Sequence, residues 1–310
     1  MNKKVLFFGT SKISVAVLDE LLITNVSVIG VVSQQPKKAN HNKITKSEMQ
    51  IFCEEKNIKV FLPNKSKEII DEIKILSPEL IIVCSYGEII PQDILNIPKF
   101  GCINIHTSLL PKYRGAAPIN YAIMNNEKET GITLMYMDKN MDTGDIIKQE
   151  TISIMPNETY SSLYEKMSIL GRRIIKENID SLFSINIPRT KQDNALATYT
   201  KKIERKDEMI NFNKKAVEVE CLIRSLYSTP IAYANYQKQP IKIHQGNIVD
   251  FDSDEKPGTI IKIDKEGMLV ATAKSCILIT TLQIPSKKPV EVKNMINGNH
   301  FFKIGTKFNF

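Results

Sequence analysis

Long apolar runs separated by helix-like stretches dominate the first 150 residues and constrain the fold more than any other feature. The strand-like runs are Val5–Gly9, Val26–Ser33, Glu79–Tyr86 and Gly101–Ser108. The stretches with helical periodicity are Ser14–Leu22, Met49–Asn57 and Lys65–Leu76. Strands that are apolar on both faces are typical of a parallel sheet covered by helices on both sides. The pattern predicts a doubly wound α/β domain with a mostly parallel sheet, which binds ligands beyond the carboxyl ends of its strands.

The pattern changes after a long helix predicted at Thr159–Phe183, which follows two more strands at Gly131–Met137 and Ile146–Ile154. The polar residues 186–204 include Pro188 and are interpreted as a linker. Beyond them, one helix-like stretch precedes several short strand-like runs punctuated by Asp, Gly and Pro, which indicate a small β-barrel resembling an OB-fold. The predicted organisation is therefore a first domain over residues 1–185, a linker over 186–204 and a barrel over 205–310.

Positive charge is concentrated in the last third of the chain. Residues 201–310 contain 18 Lys and Arg against 12 Asp and Glu, whereas residues 1–200 contain 24 against 22. An excess placed in this way points to a polyanionic partner such as nucleic acid, although a basic soluble domain without such a partner explains it equally well. No apolar run is long enough to span a bilayer, and the N-terminal run is too short for a signal peptide, so we expect a cytoplasmic protein.

The five cysteines are scattered and lack the CxxC spacing of metal or redox motifs, so we predict reduced, buried thiols. The four histidines do not combine with them at zinc-ligand spacing, and no metal is expected. The first strand is followed by Gly9-Thr10 without a GxGxxG fingerprint, and no phosphate-binding GxxxxGK[ST] loop occurs. These absences argue against a dinucleotide-dependent enzyme and against a P-loop NTPase.

The most informative segment is Gly101–Ile119, with the sequence GCINIHTSLLPKYRGAAPI. Because side chains alternate along a strand, Asn104 and His106 share one face. An amide and an imidazole near the end of a buried strand suit acyl transfer: Asn104 can donate to a carbonyl oxygen that gains negative charge, and His106 can donate as well and handle protons near neutral pH. A core pair satisfied by neighbouring backbone is the alternative.

A second polar segment, Met137–Ile146, follows a predicted strand and contains Asp138, Asp142 and Asp145. Asp-Thr-Gly is a good turn sequence, so these carboxylates have a plain structural interpretation. The functional interpretation makes Asp142 the partner of His106, where it would orient the ring and stabilise its cationic form. A third segment, residues 34–48, carries four lysines against one glutamate and is either a nucleic-acid contact or a solvated surface loop.

Taken together, these residues resemble the folate-dependent formyltransferases over essentially the whole chain. The motifs that carry the resemblance are Phe7–Thr10, Ser85–Pro91, Gly101–Ile119 and Met141–Asp145. The resemblance implies that 10-formyltetrahydrofolate donates a formyl group to an amine, without a metal. The basic C-terminal barrel favours methionine on initiator tRNA as the acceptor, and we expect a monomer.

The resemblance also implies residue roles at the matching positions. Asn104, His106 and Asp142 are expected to form the catalytic trio. Folate contacts are expected from Ser108, Leu109, Leu110, Pro111, Tyr86, Gly87, Ile89 and Asp138. Contacts with tRNA are expected from Lys37, Lys38, Lys43 and Arg114.

Three alternatives share parts of this pattern. A sugar-nucleotide N-formyltransferase would use the same trio and donor with an amino sugar as acceptor, and would not need a basic C-terminal domain. A purine-pathway formyltransferase usually lacks that domain. A tRNA-binding protein with an inactive formyltransferase fold would not need an intact trio, so the presence of Asn104, His106 and Asp142 argues against it.

Overall fold

The computed structural model describes residues 3–38, 44–296 and 301–310. The chain separates into two compact units. The first unit consists of Met1–Pro118, Glu129–Ser153 and Tyr164–Lys201. The second consists of Ile119–Lys128, Ile154–Leu163 and Lys202–Phe310. The second unit thus includes two segments from the N-terminal half of the chain. The sequence-based domain boundaries at residues 185 and 205 remain a prediction.

The first eleven strands are short to medium in length. They are β1 (Lys4–Gly9), β2 (Ser27–Val32), β3 (Lys37–Lys38), β4 (Ile44–Thr45), β5 (Val60–Phe61), β6 (Leu80–Cys84), β7 (Cys102–His106), β8 (Arg114–Gly115), β9 (Glu129–Tyr136), β10 (Ile146–Ser153) and β11 (Tyr199–Thr200). The first six α-helices are α1 (Lys12–Leu21), α2 (Glu48–Glu55), α3 (Ile70–Leu76), α4 (Gln92–Leu95), α5 (Pro118–Met124) and α6 (Tyr160–Asn178).

A seven-stranded sheet organises the first unit, in the order β10-β9-β7-β6-β1-β2-β5. The pairs among β7, β6, β1, β2 and β5 are parallel, and β9 and β10 add an antiparallel edge. The chain extends the sheet first to one side of β1 and then crosses to β6 on the other side. This confirms the predicted mostly parallel, doubly wound sheet and places a topological switch point at the carboxyl ends of β1 and β6.

The burial of the central strand β1 follows directly from its sequence. Val5, Leu6, Phe7 and Phe8 of β1 are fully buried, as expected for a strand with helices on both faces. Ser11 caps α1 in a capping box with Ser14. The Ser14 hydroxyl also donates to the carbonyl of Cys84 at 2.6 Å, so the start of α1 is attached to the carboxyl end of β6.

The second unit contains the remaining elements. They are α7 (Ala216–Ser225), β12 (Tyr233–Tyr236), β13 (Gln239–Val249), β14 (Ile260–Asp264), β15 (Gly267–Ala271), β16 (Cys276–Gln283), β17 (Val290–Glu291) and α8 (Val292–Met295). The main strands form an antiparallel sheet in the order β12-β13-β16-β15-β14. The C-terminal residues bridge both edges, because Asn309 pairs with Asn235 and Lys307 pairs with Thr259. The sheet is thereby closed into the predicted small barrel.

The barrel interior is filled by aromatic and aliphatic side chains. Phe212 and Phe308 stack with ring centroids 5.6 Å apart, and Tyr236 lies 5.5 Å from Phe308. All three are buried, in a cluster with branched aliphatic residues from β13, β14, β15 and β16. Throughout the described ranges, no helix combines the length and apolar character that crossing a membrane requires.

Candidate active site

Asn104 and His106 lie on β7, which is paired with β6 on one side and with β9 on the other. Their alternation with the buried Ile103 and Ile105 places both polar side chains on one face, as predicted from the sequence. His106 is the last residue of the strand and is only 6 % exposed. The strand therefore delivers an amide and an imidazole to the carboxyl edge of the sheet.

Asp142 lies in the turn between β9 and β10 and joins these two side chains. Its Oδ1 accepts a hydrogen bond from Asn104 Nδ2 at 3.3 Å, and its Oδ2 accepts one from the Gly115 backbone N–H at 2.8 Å. The same Oδ2 lies 3.7 Å from His106 Nδ1. The backbone of Asp142 has φ +54°, a left-handed conformation that Asp tolerates better than most residues. The structure thus brings the three predicted catalytic side chains together.

The orientation of the imidazole follows from its contact with the backbone. His106 Nε2 lies 3.0 Å from the carbonyl oxygen of Tyr113. A carbonyl can only accept, so Nε2 carries a hydrogen and donates it. Nδ1 is then the ring nitrogen that can serve a reacting group. The negative charge of Asp142 faces it and offsets positive charge that develops on the ring.

A cavity of about 430 Å³ opens beside the trio. Asn104, His106 and Asp142 all line it, together with the segment that follows β6 and the turn that follows β9. Four of the eight residues predicted to contact folate line the same cavity, namely Tyr86, Gly87, Ile89 and Asp138. The Asp138 carboxylate accepts from the Thr143 hydroxyl at 2.6 Å and from the Asn140 N–H at 2.9 Å, so it also shapes the turn that contains Asp142.

Tyr86 forms a buried part of the cavity wall. Its ring packs edge-on against Phe8, with centroids 5.2 Å apart. Burial is the main cause that raises the pKa of the Tyr86 phenol, and the Glu88 carboxylate also raises it. The hydroxyl lies 3.4 Å from the Ser66 hydroxyl. Tyr86 is therefore a neutral hydrogen-bonding group at neutral pH, and the wall it forms carries no phenolate charge.

The other four predicted folate residues, Ser108–Pro111, do not line the cavity. Ser108 and Leu110 are buried, and Thr133 of β9 organises their backbone. The Thr133 hydroxyl donates to the Ser108 carbonyl at 2.6 Å and accepts from the Leu110 N–H at 3.1 Å. Direct folate contact by Ser108–Pro111 therefore remains a prediction.

The residues predicted to contact tRNA divide into two groups. Arg114 is only 1 % exposed, and its guanidinium donates to Gln192, Asn194 and Tyr199. Its burial argues against direct contact with a tRNA phosphate. Lys37 and Lys38 form β3, which pairs with β4, and Lys43 lies outside the described residues. For these three lysines, tRNA contact remains a prediction.

Sequence reasoning missed Gln192, which was assigned to the predicted linker. Its amide nitrogen donates to the backbone carbonyls of Asp142 at 2.9 Å and Gly144 at 2.7 Å. No local pattern around residue 192 indicates such a role, because its partners lie 48 and 50 positions away along the chain. The conformation of the Asp142 turn therefore depends on a residue that the local sequence leaves unmarked.

The cysteines near this site do not supply a reactive thiolate. The five cysteines are buried and none forms a disulfide, and burial raises the pKa of Cys84 to about 12. Burial also raises the pKa of Cys102, so both cysteines near the cavity stay protonated at neutral pH. The described part of the chain contains no group of three or more His, Cys, Asp or Glu side chains suited to hold a metal ion.

The first unit places an amide, an imidazole and a carboxylate beside one cavity, and these are groups suited to acyl transfer. The Formyl transferase family model matches residues 2–179, and the model described as Formyl transferase, C-terminal domain matches residues 202–300. The chain belongs to the formyl transferase family.

Curated relatives match over nearly their whole length. A methionyl-tRNA formyltransferase of Malacoplasma penetrans is 43% identical over 98% of this chain and 96% of the relative. A methionyl-tRNA formyltransferase of Clostridioides difficile is 40% identical over 96% of this chain and 97% of the relative. Among solved structures, the sugar 3N-formyl transferase WlaRD is similar, with TM-score 0.67 and 25% identity over 93% of this chain and 99% of that one.

Two threonines on β9 offer a test of how the site is supported. The Thr133 hydroxyl bonds the Ser108–Pro111 backbone and also accepts from Gln149 Nε2 at 2.9 Å. Thr133→Val leaves the Leu110 N–H buried and unpaired, so we expect the free energy of unfolding to fall by about 1–3 kcal/mol. Urea denaturation of the purified protein measures this change.

Thr130→Val is the matched control on the same strand. Thr130 is 3% exposed, and its hydroxyl has no hydrogen-bond partner among the described residues. Replacing this hydroxyl with a methyl group should leave the free energy of unfolding unchanged or raise it slightly. An equal decrease in the free energy of unfolding in the two variants would contradict a supporting role for Thr133.

Proposed function

We propose that this chain transfers the formyl group of 10-formyltetrahydrofolate to the α-amino group of methionyl-initiator tRNA, giving formylmethionyl-tRNA for translation initiation. We further propose that it does so in the cytoplasm as a monomer. The convergence of Asn104, His106 and Asp142 on one cavity carries this proposal. The three groups supply the donors and the countercharge that attack on a formyl carbon requires.

The amine nitrogen attacks the formyl carbon, and the carbonyl oxygen becomes negative. Asn104 holds Asp142 with one N–H of its amide, so its second N–H can donate to that oxygen. Once it has taken the proton that the amine loses, directly or through a water, His106 Nδ1 donates beside it while Nε2 remains on the Tyr113 carbonyl. One donor of this kind lowers the barrier by roughly 3 kcal/mol. Donors that are already oriented need no rearrangement when the charge appears.

Collapse of the tetrahedral adduct completes the transfer. The new bond joins the amine nitrogen to the formyl carbon, and the bond from that carbon to N10 of the folate breaks with its electron pair returning to N10. The attacking amine must lose a proton, and N10 gains one. His106, or a water held by the Asp142 carboxylate, carries this proton. The chemistry needs no metal, because N–H donors stabilise the oxyanion.

The cavity accounts for binding of the donor. Val83, Ile90 and Met137 contribute apolar wall, and exposed backbone and polar groups lie between them. Ile89 and Met141 are 74% and 55% exposed, although they are large apolar side chains. Both line the cavity, so a flat heteroaromatic ligand would cover them. We assign the pterin and its neighbouring ring to this space.

The choice of acceptor is supported by relatives and by charge. Curated relatives at 36–43% identity are named methionyl-tRNA formyltransferases, whereas the similar sugar formyltransferases reach 25% or less. The excess of Lys and Arg beyond residue 200 favours a polyanionic acceptor. Phosphate contacts by such residues release counterions, so acceptor binding should weaken as salt increases.

A comparison of acceptors tests the proposal directly. Charged initiator tRNA, charged elongator tRNA and an amino-sugar nucleotide are each incubated with 10-formyltetrahydrofolate, and formylated product is measured between low and moderate salt. We expect the highest kcat/KM with initiator tRNA, and we expect KM for this acceptor to rise steeply with salt. Product from the amino-sugar nucleotide alone, with a KM independent of salt, would establish the sugar-modifying alternative.

Removing either oxyanion donor should disable the reaction. We expect Asn104→Ala and His106→Ala to lower kcat by about two orders of magnitude or more. Asn96→Ala, which removes an exposed amide from the same unit, should keep the wild-type kcat. Rates are compared after each variant has been shown to unfold at the wild-type temperature. Near-normal turnover of the two site variants would refute the assigned roles.

A pair of isoleucines tests the folate position. Ile89 lines the cavity, whereas Ile75 lies on α3 and is 82% exposed. Ile89→Ala removes apolar area that the folate would cover, so we expect about tenfold weaker binding of 5-formyltetrahydrofolate, or roughly 1.4 kcal/mol. Ile75→Ala should leave the affinity unchanged in the same calorimetric titration. Unchanged affinity in both variants would place the folate elsewhere.

A further inference from the structure

Residues 192–200, termed here the strap, run along the catalytic segments of the first unit. Within the strap, β11 pairs in parallel with β8, matching Tyr199 to Arg114 and Thr200 to Gly115. The Arg114 N–H donates to the Thr198 carbonyl at 2.9 Å. The Ala117 N–H donates to the Thr200 hydroxyl at 3.1 Å. The strap thus fixes the backbone that follows Ser108–Pro111.

This fixed backbone holds two catalytic side chains directly. The Tyr113 carbonyl accepts from His106 Nε2, and the Gly115 N–H donates to the Asp142 carboxylate. Arg114 stands between these two contacts, with its side chain buried. A displacement of Arg114 would therefore shift the partner of the imidazole and the partner of the carboxylate together.

Gln192 connects this backbone to the turn that carries Asp142. Its Oε1 accepts from Arg114 Nε at 3.1 Å and Nη2 at 2.7 Å. Its Nε2 donates to the backbone carbonyls of Asp142 and Gly144. One side-chain amide therefore makes four hydrogen bonds, two to each side of the catalytic trio, and uses all its donors and acceptors.

We propose that Gln192 is a positioning residue for formyl transfer, which joins the Asp142 turn to the Tyr113–Gly115 backbone and so aligns the carboxylate with Asn104 and His106. This inference rests on the function proposed above. Asp142 has a left-handed backbone, a conformation that is less favourable than the right-handed one for an L-residue. The two bonds from Gln192 Nε2 to the turn help to offset that cost and keep the carboxylate in place.

The geometry requires an amide at this position. A carboxylate in its place could still accept from Arg114, but it would set an oxygen against the two carbonyls of the turn. A methionine would fill similar space without any strong hydrogen bond. Asn194 offers a comparison, because its Oδ1 accepts from Arg114 Nη2 at 2.8 Å and no hydrogen bond from its side chain to the Asp142 turn is found among the described residues.

The test measures kcat and KM for Gln192→Met, Gln192→Glu and the control Asn194→Ala. We expect both Gln192 variants to lower kcat by about tenfold or more, with KM for either substrate within about threefold, because misalignment acts on the transition state. Asn194→Ala should lower kcat by less than about threefold. Thermal unfolding and binding stoichiometry for 5-formyltetrahydrofolate verify that each variant is folded and retains the donor site.

A double-mutant cycle separates positioning from a general structural effect. If Gln192 acts through the Asp142 carboxylate, adding Gln192→Met to Asp142→Asn should lower kcat by less than about threefold further. An undiminished effect in that background would overturn the inference, as would wild-type kcat in both single variants. A fall in kcat that only matches a loss of folded protein would overturn it as well.

The experiment also distinguishes failure of the proposed function from failure of the Gln192 inference. The wild-type chain is first assayed with initiator tRNA and with the amino-sugar nucleotide, and the cycle is performed with whichever acceptor it formylates. An inactive wild type on tRNA refutes the proposed function and leaves the Gln192 test in place on the other acceptor. If the wild type formylates tRNA and the Gln192 variants keep the wild-type kcat, only the positioning role is refuted.

Discussion

The Asp142 carboxylate is the point on which the active site depends. Its two oxygens receive the Asn104 amide and the Gly115 N–H, and one of them faces the His106 ring. Its side chain is only 15% exposed, so these contacts act with little screening by water. A carboxylate held in this way orients the amide, places charge beside the imidazole and leaves one amide hydrogen for the reacting oxygen.

The sheet supplies the first half of this arrangement. β7 ends at His106, close to the switch point of the strand order, where a doubly wound sheet leaves a crevice. The second half comes from the antiparallel strands β9 and β10, whose connecting turn brings Asp142 to the polar face of β7. The parallel core alone would provide the amide and the imidazole without their carboxylate.

Sequence reasoning succeeded where a local pattern repeats. Alternation along β7 placed Asn104 and His106 on one face, and the apolar runs predicted the main strands to within a few residues. It failed to find strands of two residues, such as β8 and β11, because two residues carry no periodicity. It also did not reveal that Arg114 is buried, and contact of Arg114 with tRNA remains a prediction. The hydrogen-bond partners of Arg114 lie between 78 and 86 positions away along the chain, so no local sequence pattern indicates them.

The sequence by itself determined the fold class, the basic C-terminal barrel and the chemical character of the site, since these follow from hydrophobic periodicity and residue type. The tertiary structure decided which predicted residues meet. It placed Asn104, His106 and Asp142 close to one another, buried Ser108 and Leu110 outside the cavity lining, and buried Arg114 with Gln192 as a hydrogen-bond partner. These positions depend on hydrogen bonds between segments that are distant in sequence. Such hydrogen bonds can form only after the sheet has brought the segments together.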